Sequence, residues 1–168
     1  IALTYFEKQD DPVRKATALY YEGRVNHDMN NAEEATDYYL RARDVAKNTT
    51  DYTLLYLINS QLGTLYAYRG LTDLALEAYK NAYDYSNQLK DSALISYSYS
   101  YLGRVSALGN DLPKGLDYYK KAISVAEQSE SLKALTLAYG EISTVYRVLS
   151  ILDSSMYYLK KSKEIEEI

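Results

Sequence analysis

The segment Gly63–Tyr83, GTLYAYRGLTDLALEAYKNAY, sets four tyrosines among four alanines and two glycines. Bulky rings beside very small side chains suit a place where two helices come close together, with the ring filling the space that the small residue leaves. The same arrangement recurs along the chain. Gly23, Gly63, Gly103 and Ser143 stand 40 residues apart, and so do Ala35, Ala75, Gly115 and Ser155. Two further columns keep that step: Tyr39, Tyr79, Tyr119 and Leu159, and Ala42, Ala82, Ala122 and Ser162. Four columns in register without a gap define an internal repeat of 40 residues, and stacked units of that length bury apolar faces that no single unit can bury alone.

Each copy divides into two helical segments. Asp11, Asp51, Asp91 and Ser131 are the expected N-caps of the first helices, with Pro12 placed where a missing N–H costs nothing. Polar or glycine-bearing breaks follow at Met29-Asn30-Asn31, Arg69-Gly70, Gly109-Asn110-Asp111 and Leu149-Ser150-Ile151. The expected helices run over 12–29, 32–48, 52–69, 72–88, 92–109, 112–128, 132–149 and 152–166. Repeats are expected over 11–50, 51–90, 91–130 and 131–168, the last degenerate and capping, with residues 1–10 as the end of a truncated preceding repeat. The half repeat is expected to offer a route to self-association, and the chain reads as a segment of something longer.

Leu62, Gly63, Tyr66, Ala75, Tyr79 and Ala82 resemble the L-G-x-x-Y and A-x-x-x-F pattern of the tetratricopeptide repeat (TPR) family. The first copy keeps Gly23, Ala35, Tyr39 and Ala42 but has Glu22 and Asn26 in place of the Leu and Tyr. The third keeps Leu102, Gly103, Tyr119 and Ala122, and the fourth keeps Ile142 and Tyr146. A period of 40 rather than 34, without a closing proline, is similar to the long-helix TPR variants of signalling regulators. The resemblance implies an all-α fold, a right-handed α-solenoid of antiparallel helix pairs whose first helices line a concave groove for a peptide or partner helix.

Composition narrows the function. The 168 residues carry 19 Lys and Arg against 23 Asp and Glu, a net charge of −4 that argues against a nucleic-acid backbone as main partner. The uncharged run from Tyr52 to Tyr68 is too polar and too short for a membrane span, and reads as a buried helix. Compartment stays open, since absence of cysteine does not choose one. A lone histidine, no cysteine and glycines scattered among helix columns support neither a catalytic triad, a metal site nor a phosphate loop, so no cofactor and no enzymatic activity are expected.

The residues expected to bind a partner lie on the first helices. Tyr20, Arg24 and His27 share one face by i, i+4, i+7 spacing, as do Tyr97, Tyr101 and Arg104, with Ser60, Thr64 and Tyr68 between them in array order. Gln61 and Arg147 complete the set. Arg24 and Arg104 are expected on one inner surface with Tyr20, Tyr68, Tyr97 and Tyr101. Carboxylate-clamp TPRs use lysines and asparagines on this face, and Tyr20, Arg24, Gln61, Tyr97 and Tyr101 depart from that pattern. The expected function is a non-enzymatic binding module of a larger bacterial signalling or regulatory protein, taking a protein or peptide segment with apolar and acidic groups. The alternative is an assembly scaffold that uses its convex or edge surfaces.

Overall fold

A computed structural model describes residues 11–167, and the expectation for residues 1–10 lies outside them. Among the described residues the chain forms eight helices and no strand: α1 (Pro12–Asp28), α2 (Ala32–Ala46), α3 (Tyr52–Tyr68), α4 (Thr72–Leu89), α5 (Ser92–Leu108), α6 (Leu112–Gln128), α7 (Leu132–Val148) and α8 (Leu152–Glu166). None of them is long and apolar enough to cross a membrane. Side chains set the helix starts. Asp11, Asp51 and Asp91 each accept the backbone N–H three residues on, from Arg14 at 3.1 Å, Leu54 at 2.9 Å and Leu94 at 3.1 Å. Each aspartate thus satisfies one of the N–H groups that a helix start leaves without an internal partner. Ser131 sits at the matching place but makes no side-chain cap, whereas Asp111, not expected from the sequence, caps α6 through the N–H of Lys114 at 3.1 Å.

The turns inside the pairs share one geometry. Asn30, Gly70, Asn110 and Ser150 all adopt positive φ, between 59° and 71°. Each is followed by an N–H that reaches back five residues: Asn31 to Asn26 O at 2.8 Å, Leu71 to Tyr66 O, Asp111 to Ser106 O and Ile151 to Tyr146 O, each of these at 2.9 Å. This is the Schellman closure of a helix end, in which a left-handed residue turns the chain and satisfies a terminal carbonyl. Asparagine tolerates that region better than other residues with a side chain, which explains its use at two of the four turns.

The helices form two compact units, α1 to α4 and α5 to α8. In the first, Leu19, Tyr39, Leu55, Ile58 and Leu62 are almost wholly buried; in the second, Tyr119, Ala138 and Ile142 are. The glycine column explains the pairing of helices. A Cβ built on Gly23 would lie 2.7 Å from the Tyr39 ring, one on Gly63 2.6 Å from Tyr79, and one on Gly103 2.8 Å from Tyr119. The tyrosine therefore sits against the glycine of its own pair, with Cδ1 and Cε1 of the ring in the space that the absent side chain leaves. Backbones do approach at Gly115, where a Cβ would meet Gly103 O at 3.1 Å. In the last pair Ser143 and Leu159 replace the glycine and tyrosine, Ser155 Oγ donates to Ser143 O at 2.9 Å, and Leu159 is left largely exposed.

Candidate functional site

In the first unit the expected face divides by burial. Tyr20 is only 5% exposed, its ring centroid 5.8 Å from that of Tyr39, so it belongs to the core and is not presented to a partner. Burial raises the pKa of its hydroxyl, and the neighbouring Arg24 opposes that rise. The exposed ring is that of Tyr21, which the i, i+4, i+7 spacing passed over. Tyr21 meets Tyr20 edge-on at 5.4 Å and carries the Arg24 guanidinium at 5.8 Å from its centroid. Arg24 is exposed and pairs with no described carboxylate. On α3, Gln61 and Thr64 are half-buried. Thr64 donates to Ser60 O at 3.0 Å and shares a 3.1 Å hydrogen bond with the Tyr79 hydroxyl, so part of its polarity serves packing. His27 and the outward ring of Tyr68 meet at one cleft, with Asn30, Ala32, Leu65 and Arg69.

In the second unit, α5 holds Tyr97, Tyr101 and Arg104, all half-buried. Burial raises the pKa of the Tyr97 hydroxyl. The Arg104 guanidinium lies 5.2 Å from the Tyr101 ring centroid, a cation–π distance, and its Nη1 is 3.8 Å from Glu141 Oε1 on α7. The other Glu141 oxygen accepts from the Tyr119 hydroxyl at 3.1 Å. Burial raises that hydroxyl's pKa first, and the Glu141 charge raises it further, because a phenol donating to a carboxylate resists ionising. A similar pair forms nearby: Tyr139 donates to Glu127 Oε1 at 3.1 Å, and burial with this bond pushes its pKa up to about 12. Arg147 is exposed in the last turn of α7.

Tyr21 and Glu141 were legible in the sequence after all. They stand in the column of Gln61 and Tyr101 at the 40-residue step, next to the column of Arg24, Thr64, Arg104 and Thr144. Following the repeat register rather than helical spacing within one helix finds them. Among the described residues no group of three or more His, Asp or Glu is placed to hold a metal.

No family model and no curated protein matches this chain. Its fold is similar to that of solved structures. Aspartyl phosphate phosphatase F from Bacillus subtilis superposes with a TM-score of 0.86 at 20% identity, over 98% of this chain and 43% of that one. A signal transduction ATPase with a tetratricopeptide repeat sensor, from Pyrococcus horikoshii, gives a TM-score of 0.83 at 16% identity, over 97% of this chain and 25% of that one. A kinesin light chain-type protein of Podospora anserina with nearly identical TPR-like repeats gives 0.78 at 11% identity, over 98% and 81%. The chain thus spans less than half the length of the first two. These likenesses define the class: an all-α protein of TPR-like helical repeats.

Proposed function

We propose that this chain is a non-enzymatic binding module that holds a protein or peptide segment on the faces of its first helices. One observation carries the reading. An arginine lies over a tyrosine ring three residues earlier on α1, at Tyr21 and Arg24, and again at the same register on α5, at Tyr101 and Arg104. Core packing does not require either pair, since the α3 positions in the same columns are Gln61 and Thr64. Rings give contact area at small entropy cost, and a guanidinium held over a ring is oriented to fork onto a carboxylate. The partner segment therefore carries apolar or aromatic anchors and at least one acidic group. The module belongs to a larger bacterial signalling or regulatory protein, a reading supported by its likeness to part of a bacterial phosphatase and of a TPR sensor protein.

A specific observation also favours the scaffold reading. Leu152, Met156 and Leu159 on α8 are 62%, 69% and 45% exposed, an apolar strip on which another surface could pack. The two readings separate by mutation. For a partner isolated on this chain, Arg24→Ala with Tyr101→Ala is expected to weaken binding by roughly 2 kcal/mol or more with helicity unchanged. Substituting the exposed Lys80 and Lys120 on the second helices leaves binding as it was. Titration calorimetry with circular dichroism checks both, and loss of binding with the lysine changes alone would replace the first reading with the second.

A further inference from the structure

The end of α1, the turn after it and the end of α3 meet around a cleft of about 410 Å³ in the first unit. Its lining is His27, Asn30, Ala32, Leu65, Tyr68 and Arg69. Ala32 and the buried Leu65 supply apolar floor, Tyr68 contributes a ring 79% exposed, and His27 is half-buried. No carboxylate lines it. Arg69 caps the end of α3 through its backbone, and its guanidinium pairs with no described carboxylate. On a chain of net charge −4, this is a cationic and aromatic recess.

The fold does not require that chemistry here. The residues 80 further on, which occupy the same places in the second unit, are Ala107, Asn110, Leu112, Val145, Val148 and Leu149. The turn asparagine, a residue type that tolerates positive φ, is kept, and the other five are aliphatic. α5 and α7 thus end in the same register as α1 and α3 with no ring and no cation there, so His27, Tyr68 and Arg69 are surplus to packing.

We propose that this cleft binds a carboxylate carried on an apolar or aromatic body, the acidic residue of a peptide segment with its neighbouring hydrophobic side chain. Arg69 forks onto the carboxylate, the Tyr68 ring covers the apolar body, and Ala32 with Leu65 receives its edge. This deepens the partner-binding reading and rests on it, but it uses residues separate from Tyr21 and Arg24, so the two fail separately.

Titration of the full chain with acetyl-Phe-Glu-Leu-amide, its Phe-Gln-Leu counterpart and free phenylacetate tests it. The Glu peptide is expected to bind about tenfold tighter than the Gln peptide, the difference that one charged hydrogen-bonded contact makes. Arg69→Gln, a change at an exposed helix end, should abolish that preference, and Tyr68→Ala should weaken both peptides. Arg24→Ala should leave the preference intact. Phenylacetate binding as well as the Glu peptide, with the same dependence on Arg69, supports the carboxylate-and-ring chemistry and assigns the site to a free acid. Equal affinity for the two peptides, no binding of either at millimolar concentration, or a preference that survives Arg69→Gln overturns the proposal.

Discussion

Gly63→Leu is expected to lower the unfolding free energy by about 3 kcal/mol or more, at the upper end of what overpacking a core costs. The first added carbon already meets Tyr79 Cδ1 and Cε1 at 2.6 Å. The ring has little room to yield, because Tyr79 is wholly buried and its hydroxyl is held by Thr64 at 3.1 Å. Relief then requires α3 and α4 to separate, which opens the contacts of Leu62 and Ala78 in the same core. Urea denaturation followed by circular dichroism checks this. A midpoint equal to that of the parent chain would contradict the seating of ring on glycine.

Tyr119→Ala is the complementary change and should cost about 3–5 kcal/mol, the range for removing a buried aromatic ring. The ring is 1% exposed over Gly103, so its loss leaves a void that a bare glycine cannot fill. Glu141 also loses the hydroxyl that donates to it, and keeps Arg104 as its remaining close charge. Tyr119→Phe retains the ring and should cost only about 1 kcal/mol, the net worth of a typical hydrogen bond. A Phe variant as unstable as the Ala variant would assign the stability to the hydroxyl and its carboxylate rather than to packing.

Helix starts were readable because capping aspartates and turn residues recur at a fixed step, and local chemistry alone decides them: Pro12, Tyr52 and Ser92 each follow a capping aspartate. The end of α2 was read two residues too long, at 48 rather than the observed Ala46, because Lys47 still has helical φ and ψ and donates its N–H to Arg43 O at 2.9 Å, so the chain leaves the helix gradually. Which side of a helix faces the core was harder. Tyr20 and Tyr21 are adjacent and chemically identical, and only the repeat register, which sets Tyr20 with Ser60 and Ser100, marks it as inward. The repeat register marks the position of Glu141, but its link to Tyr119 and Arg104, 22 and 37 residues away in sequence, was hidden because only folding brings the three together. The cleft at Arg69 was hidden for the same reason, since its walls come from α1, α2 and α3.

Site-specific photocrosslinking in cells that make the protein measures directly which face meets the partner. A photoreactive phenylalanine replaces Tyr21 or Tyr101 on the first helices, and in parallel variants Lys80 or Lys120 on the second helices or Met156 on α8. All five positions are half-buried or exposed, so the probe is accommodated without disturbing the core. A shared adduct from positions 21 and 101, absent from 80, 120 and 156, is the predicted result. Adducts formed from 80, 120 or 156 with none from 21 and 101 would contradict binding on the first helices.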